Sequence, residues 1–291
     1  MADQIGSLLC LMTIPFGVVN SFWHLIARHP HPRRYRFHLV NLVLAAFFVW
    51  LARSGSSWGA SGALLFLRLW LPIVYYWWAY AWAGTTLHLF HDQGFSFDPA
   101  LIAAEKRWFG NPSLWMARGK PRWLNELMNF SYWSYYLYTP VVGVALYAAG
   151  QHRRFEAMAM AVSLGYAVCY SIYPWYPLWG PRWALVLEDL LPEREQILDG
   201  YMFTAVMNRI MWSDTPHKGG AMPSAHSATC VIFMLWCWRI WGTEGAVVGG
   251  LVGTMMLVST VYGRYHYAID VIVGSAIGLL AVWGADLLVA G

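Results

Sequence analysis

Apolar runs long enough to cross a bilayer recur from one end of this chain to the other, and nothing else in it constrains the fold as strongly. No water reaches backbone N–H and C=O groups in the hydrocarbon core, so a spanning segment must satisfy them internally. These runs are continuous rather than alternating, which predicts helices and not a barrel. The best segmentation is about eight spans, near 4–26, 37–53, 63–90, 130–150, 155–175, 222–241, 245–263 and 267–289. The second is short and the third long, so tilt is expected there. With 58% hydrophobic and only 12% charged residues, the composition excludes an ordinary soluble domain. The 19 Trp and 17 Tyr suit the two membrane–water interfaces, where amphipathic rings concentrate. The N-terminal run lacks a basic flank and a small-residue cleavage pattern, and reads as a first span rather than a signal peptide.

The expected architecture is an all-α integral membrane protein. Residues 1–62 supply about two N-terminal spans, and residues 63–291 form a six-helix core. Between the third and fourth spans, residues 91–129 mix Trp108, Trp115, Trp123 and Met116 with Lys106, Arg107, Arg118, Lys120 and Arg122, a blend suited to helices lying in the interface plane. Residues 176–221 form a second long connection, in which Pro177–Arg182 (PLWGPR) reads as rigid turning backbone. Cys10, Cys169, Cys230 and Cys237 all fall within expected spans and offer no metal-ligand pair, so they read as buried inert thiols. A net charge of +4 provides no global basic field for nucleic acid.

Two short segments carry chemistry, each at the mouth of an apolar run. One is Pro223-Ser224-Ala225-His226; the other is His266-Tyr267-Ala268-Ile269-Asp270. A histidine and an aspartate four residues apart share one helix face, so Asp270 can orient His266 and stabilise its charge. His226 supplies a separate proton donor. Ionisable groups at the edge of a span are costly, so this pair needs a joint reason to be there. By span parity, residues 177–182, 217–226 and 264–270 all lie on one side of the membrane.

AMPSAHSA, followed by STVYGRYHYAIDVIVG, resembles the second and third signature motifs of the type-2 phosphatidic acid phosphatase superfamily. These membrane lipid phosphatases and phosphotransferases share an active-site design with vanadium haloperoxidases. PLWGPR is similar to the first motif in the branch that includes inositol phosphorylceramide synthases, and FDPALIAAEKRWFGNPS is similar to an interfacial region of that branch's bacterial members. The resemblance implies that His266 attacks phosphorus, Asp270 fixes its tautomer, and His226 protonates the departing alkoxide and then activates the acceptor. It further implies that Arg182 clamps the phosphate, with Ser224 and the amides around Ala225 completing the oxyanion cradle at the positive end of the sixth helix. Three positions depart from the usual pattern: Trp175 replaces a lysine, Thr260 an arginine and Ala225 a glycine. Lys218 and Arg264 are the expected replacements for the two missing cations.

The expected activity is metal-independent and cofactor-free: hydrolysis of a lipid phosphate monoester or pyrophosphate through a phosphohistidine. The alternative is transfer of a phospho-headgroup onto a lipid alcohol. A lipid phosphate and the bilayer are the expected partners, and homo-oligomerisation is left open. Loop arginines 28, 33, 34 and 36 place the catalytic side in the cytoplasm by the positive-inside rule. The family resemblance implies an extracytoplasmic site, and that side is expected here because the substrate itself calls for cations.

Overall fold

The computed structural model describes residues 34–54, 62–91, 96–211 and 219–290, together with residues 18, 21, 22 and 25. Every regular element among them is helical: α1 (Arg34–Ser54), α2 (Gly62–His91), α3 (Asp98–Phe109), α4 (Pro112–Trp115), α5 (Arg122–Ala148), α6 (His152–Ile172), α7 (Pro181–Leu187), α8 (Glu193–Gln196), α9 (Met202–Met211), α10 (Ala225–Tyr262) and α11 (Ala268–Ala290). Of these, α6, α10 and α11 are long and apolar enough to cross a membrane. The chain is therefore an all-α membrane protein. The first expected span lies almost wholly outside the described residues.

α10 runs for 38 residues. At 1.5 Å per residue a straight helix of that length would far exceed the bilayer core. Gly242 resolves this, because its backbone (φ 60°, ψ −140°) breaks the helix at a conformation that favours glycine. The two arms fold back on each other: the Cys230 thiol donates to the Gly253 carbonyl at 3.3 Å, and a Cβ on Gly249 would press on Cys237. The two spans expected at 222–241 and 245–263 are these arms.

The first arm packs on α11. Gly274 and Gly278, four residues apart, make this approach close. A Cβ on either would collide with the backbone of Ser224 or Ala228. Apolar lipid tails give helices little hydrophobic reason to associate, and small residues that admit close backbone contact supply one. The consequence is chemical, since this packing draws the start of α10, with His226, against the start of α11, with Asp270. α6 fills the other side of both helices, and α2 leans on α6. Cys169, Cys230 and Cys237 are buried free thiols, as expected, and Cys10 lies outside the described residues.

α5 begins well before the expected span at 130–150. Its first turns carry Asn125, Glu126 and Asn129, whose side chains bond Asp199 and the start of α9, so the helix continues past the apolar layer. The segment expected at the interface forms α3 and α4, which present Trp108 and Trp115 outward.

Candidate active site

The expected motif residues converge on one cavity of about 450 Å³. Arg182, Ala225, His226, Arg264 and His266 line it, along with Gly219, Gly220 and Ala221. His266 Nδ1 lies 2.9 Å from the Ala221 carbonyl, which can only accept, so the proton sits on Nδ1. Nε2 thereby keeps its lone pair and faces His226 Nδ1 at 3.3 Å. The far nitrogen of His226, Nε2, meets the Tyr132 hydroxyl at 3.1 Å. Asp270 stands behind His266, with Oδ2 at 3.6 Å from Nδ1, and it also accepts the Tyr267 N–H at 2.9 Å. The Ala221 carbonyl is thus the nearer acceptor for the imidazole proton, and the carboxylate adds charge beside it.

Arg182 is buried, sits 5.5 Å over the Tyr265 ring and donates to Asn208 Oδ1 at 3.3 Å. Arg264 is more deeply enclosed. Its Nε donates to the Ser113 carbonyl at 2.9 Å and its Nη1 to the Glu195 carbonyl at 2.6 Å, so part of the guanidinium ties α4 and α8 to the site. Burial pulls its pKa below the ordinary value, against the opposing pull of Glu195. Ser224 lies beneath the cavity rather than on its wall. Its Oγ caps α10, accepting from the Ser227 N–H at 3.1 Å and the Ser227 hydroxyl at 2.9 Å. Ala225 opens the helix and lines the cavity. Lys218 lies outside the described residues. At the two departures, Thr260 uses its carbonyl to receive the N–H groups of Tyr265 and His266, and Trp175 points outward.

Sequence reasoning did not single out the residues that hold these segments in place. Asp98 and Glu105 are seven residues apart on α3 and so share a face; both are buried. The Asp98 carboxylate accepts the N–H of Trp179 at 2.6 Å, the N–H of Gly180 at 3.1 Å, the Tyr267 hydroxyl at 2.8 Å and the Ser96 hydroxyl. It thereby fastens the turn before Arg182 to the residue after His266. Glu105 accepts the Ile269 N–H at 2.7 Å, at the open end of α11. Burial pushes the Glu105 carboxyl up. The Ile269 N–H works against that shift, and the nearby Asp270 carboxylate adds to it. The signal available in the sequence was two acids at helical spacing in a segment otherwise suited to an interface.

A second set comes from α5. Asn125 accepts the Tyr262 hydroxyl at 2.6 Å, and Asn129 accepts the Tyr265 hydroxyl at 2.7 Å. Glu126 receives the N–H groups of Tyr201, Phe203 and Thr204, which seats the start of α9. Away from the histidines, tyrosines from α2, α5, α6 and the residue that follows α6 line the cavity: Tyr80, Tyr135, Tyr136, Tyr166, Tyr170 and Tyr173. Tyr80 and Tyr136 are also 38% and 42% exposed, so the cavity reaches the lateral surface between α2 and α5.

This arrangement provides a nucleophilic nitrogen, a partner imidazole for proton transfer, two guanidinium groups and a helix N-terminus in one enclosed space, an inventory suited to phosphoryl transfer. No curated protein and no solved structure matches this chain. A family model described as the PAP2 superfamily matches residues 99–284, which takes in α3 from its second residue, α5 and all three motif segments. The chain therefore belongs to the PAP2 superfamily, with phosphatase-type activity on phosphate esters as the corresponding chemistry.

Proposed function

We propose that this protein is a metal-independent lipid phosphatase, working on a phosphate monoester or pyrophosphate through a phosphohistidine on His266. The observation that carries this reading is the facing pair of imidazoles, with His266 Nε2 turned to His226 Nδ1 and its own Nδ1 held by a carbonyl. In the first step His266 Nε2 bonds to phosphorus as the P–O bond to the lipid alcohol breaks. Protonated His226 delivers its Nδ1 proton to the departing oxygen. His266 gains positive character, which the adjacent Asp270 carboxylate offsets. Neutral His226 then takes a proton from water, whose oxygen attacks phosphorus and frees His266. Arg182, Arg264 and the amides at the start of α10 balance charge on the equatorial oxygens. The apolar chain leaves through the lateral opening beside Tyr80 and Tyr136.

A second reading replaces water with a lipid alcohol, as in the inositol phosphorylceramide synthase branch. The tyrosine-lined space beside His226, which serves the lipid chain in the first reading, supports it where it also has room for an acceptor alcohol. We further propose that the site is extracytoplasmic.

The test is phosphate release from a panel of lipid phosphates by the purified protein in detergent, with His266→Ala as control. Release absent from the variant supports the phosphatase. Headgroup exchange onto a lipid alcohol without release supports the transferase, and activity that survives in His266→Ala overturns both. Activity lost to EDTA and restored by a divalent cation would overturn metal independence. A single cysteine introduced near residue 31 should react with an impermeant reagent in intact cells, and labelling only after permeabilisation would reverse the assigned side.

A further inference from the structure

From the column of side chains behind the reacting nitrogens, we infer that Tyr132 is a positioning residue for His226, keeping its Nε2 occupied so that all proton traffic runs through Nδ1. Tyr132 lies on α5, in the middle of an apolar segment and outside every motif, and is 3% exposed. Its ring stacks on Tyr265 with centroids 3.9 Å apart and planes at 24°. On the other face of this pair, the Arg182 guanidinium sits over Tyr265, whose hydroxyl is fixed to Asn129. The Tyr132 hydroxyl reaches His226 Nε2 at 3.1 Å. One stack thus joins the phosphate clamp to the acid–base imidazole.

Of the two roles open to a tyrosine hydroxyl, accepting is the one that serves His226 in each state of the proposed reaction. Toward protonated His226 it accepts from Nε2–H, and the proton free to leave is the one on Nδ1. After that proton reaches the alkoxide, the same acceptor keeps the remaining proton on Nε2. The lone pair then stays on Nδ1, where the incoming water or alcohol is deprotonated. Without the hydroxyl, neutral His226 can carry its proton on either nitrogen, and one of the two tautomers has no base at the reacting centre. Tyr135 makes an instructive contrast. Its ring is as near to His226, with centroids at 4.5 Å, but its hydroxyl is paired with that of Tyr166.

This inference rests on the phosphohistidine reading, and the experiment separates the two. Tyr132→Phe preserves the stack and removes the oxygen. With a lipid alkyl phosphate, whose leaving group needs a proton, kcat should fall about ten- to a hundredfold at unchanged KM, part of the roughly 10²–10⁴-fold that general acid–base catalysis supplies. With an alkylated p-nitrophenyl phosphate the first step needs no proton, so the initial burst of nitrophenolate should keep its rate while the following steady state slows. Tyr135→Phe should show no such split. An equal loss in burst and steady state, or wild-type kinetics with both substrates, overturns the inference for Tyr132. A burst that persists in His266→Ala overturns the phosphohistidine itself.

Discussion

The segments that carry the reacting groups and the helices that hold them obey different rules. Arg182, His226 and His266 come from short turns and helix starts, and each presents a side chain to the cavity. α3 and the first turns of α5 present almost nothing to it. They reach instead into the backbone of those turns, with Asp98 on Trp179 and Gly180, Glu105 on Ile269, and Glu126 on the start of α9. On the proposed reading a few side chains do the chemistry, and buried acceptors for backbone N–H groups keep them in register. Changes in the first set should remove turnover and largely spare the fold, whereas changes that remove an acceptor from the second should lower activity and stability together.

The largest effect tests the first half of that contrast. His266→Ala should cut phosphate release by at least about a thousandfold, as loss of a nucleophile does elsewhere. Its melting temperature in detergent should fall only modestly, because the ring loses its bonds to Ala221 and His226, about 1 kcal/mol each, and its contact with Asp270. A variant that melted far lower would place His266 among the holding residues and blur the distinction.

Asp98→Asn tests the second half. Its amide retains an oxygen for one backbone donor but turns an N–H₂ toward the others, leaving buried N–H groups unpaired at about 1–3 kcal/mol each. The turn before Arg182 loses its anchor, and a displacement of about 1 Å at such a site costs about a hundredfold in rate. Both kcat and the melting temperature should fall. Full activity with a lowered melting temperature would show that Asp98 stabilises the fold without positioning Arg182.

Asn129→Ala should be milder. It frees the Tyr265 hydroxyl, gives up the bonds to Thr204 and the Asn125 carbonyl, about 1 kcal/mol each, and loosens the ring beneath Arg182. KM for the phosphate should rise several-fold with kcat little changed. A fall in kcat at constant KM would shift the role of this amide from the phosphate clamp to His226.

The same contrast explains what could be read in advance. That His226, His266, Asp270 and Arg182 come together was legible because their residue types stand at fixed spacing in the three motif segments. The reversal at Gly242 was legible as the gap between two apolar runs. Tyr132, Asp98 and Asn129 were not, because their partners are backbone groups or side chains far away in sequence. Tyr267 is 169 residues from Asp98 and bonds it. A carboxylate that accepts main-chain N–H groups leaves no mark on the residues that donate, so no pattern in the motifs announces it. Ser224 shows the converse, since the residue type that suits a phosphate cradle also suits a helix cap, and here its oxygen caps α10.

Glu105 offers the smallest effect and the sharpest sign. Because burial raises its carboxyl pKa, the fold favours the protonated form. Stability from this group is therefore fullest below the ordinary carboxylate value and is lost as pH rises through the raised one. Glu105→Gln keeps an oxygen for the Ile269 N–H and carries no charge at any pH. The variant should melt at or slightly above wild type at pH 8, and the difference should shrink toward pH 5 as the wild-type carboxyl takes up its proton. A variant that melted below wild type at pH 8, and increasingly so with rising pH, would mean that the charge itself holds the start of α11. Glu105 would then act as Glu126 does at α9, and the two holding helices would work by one mechanism rather than two.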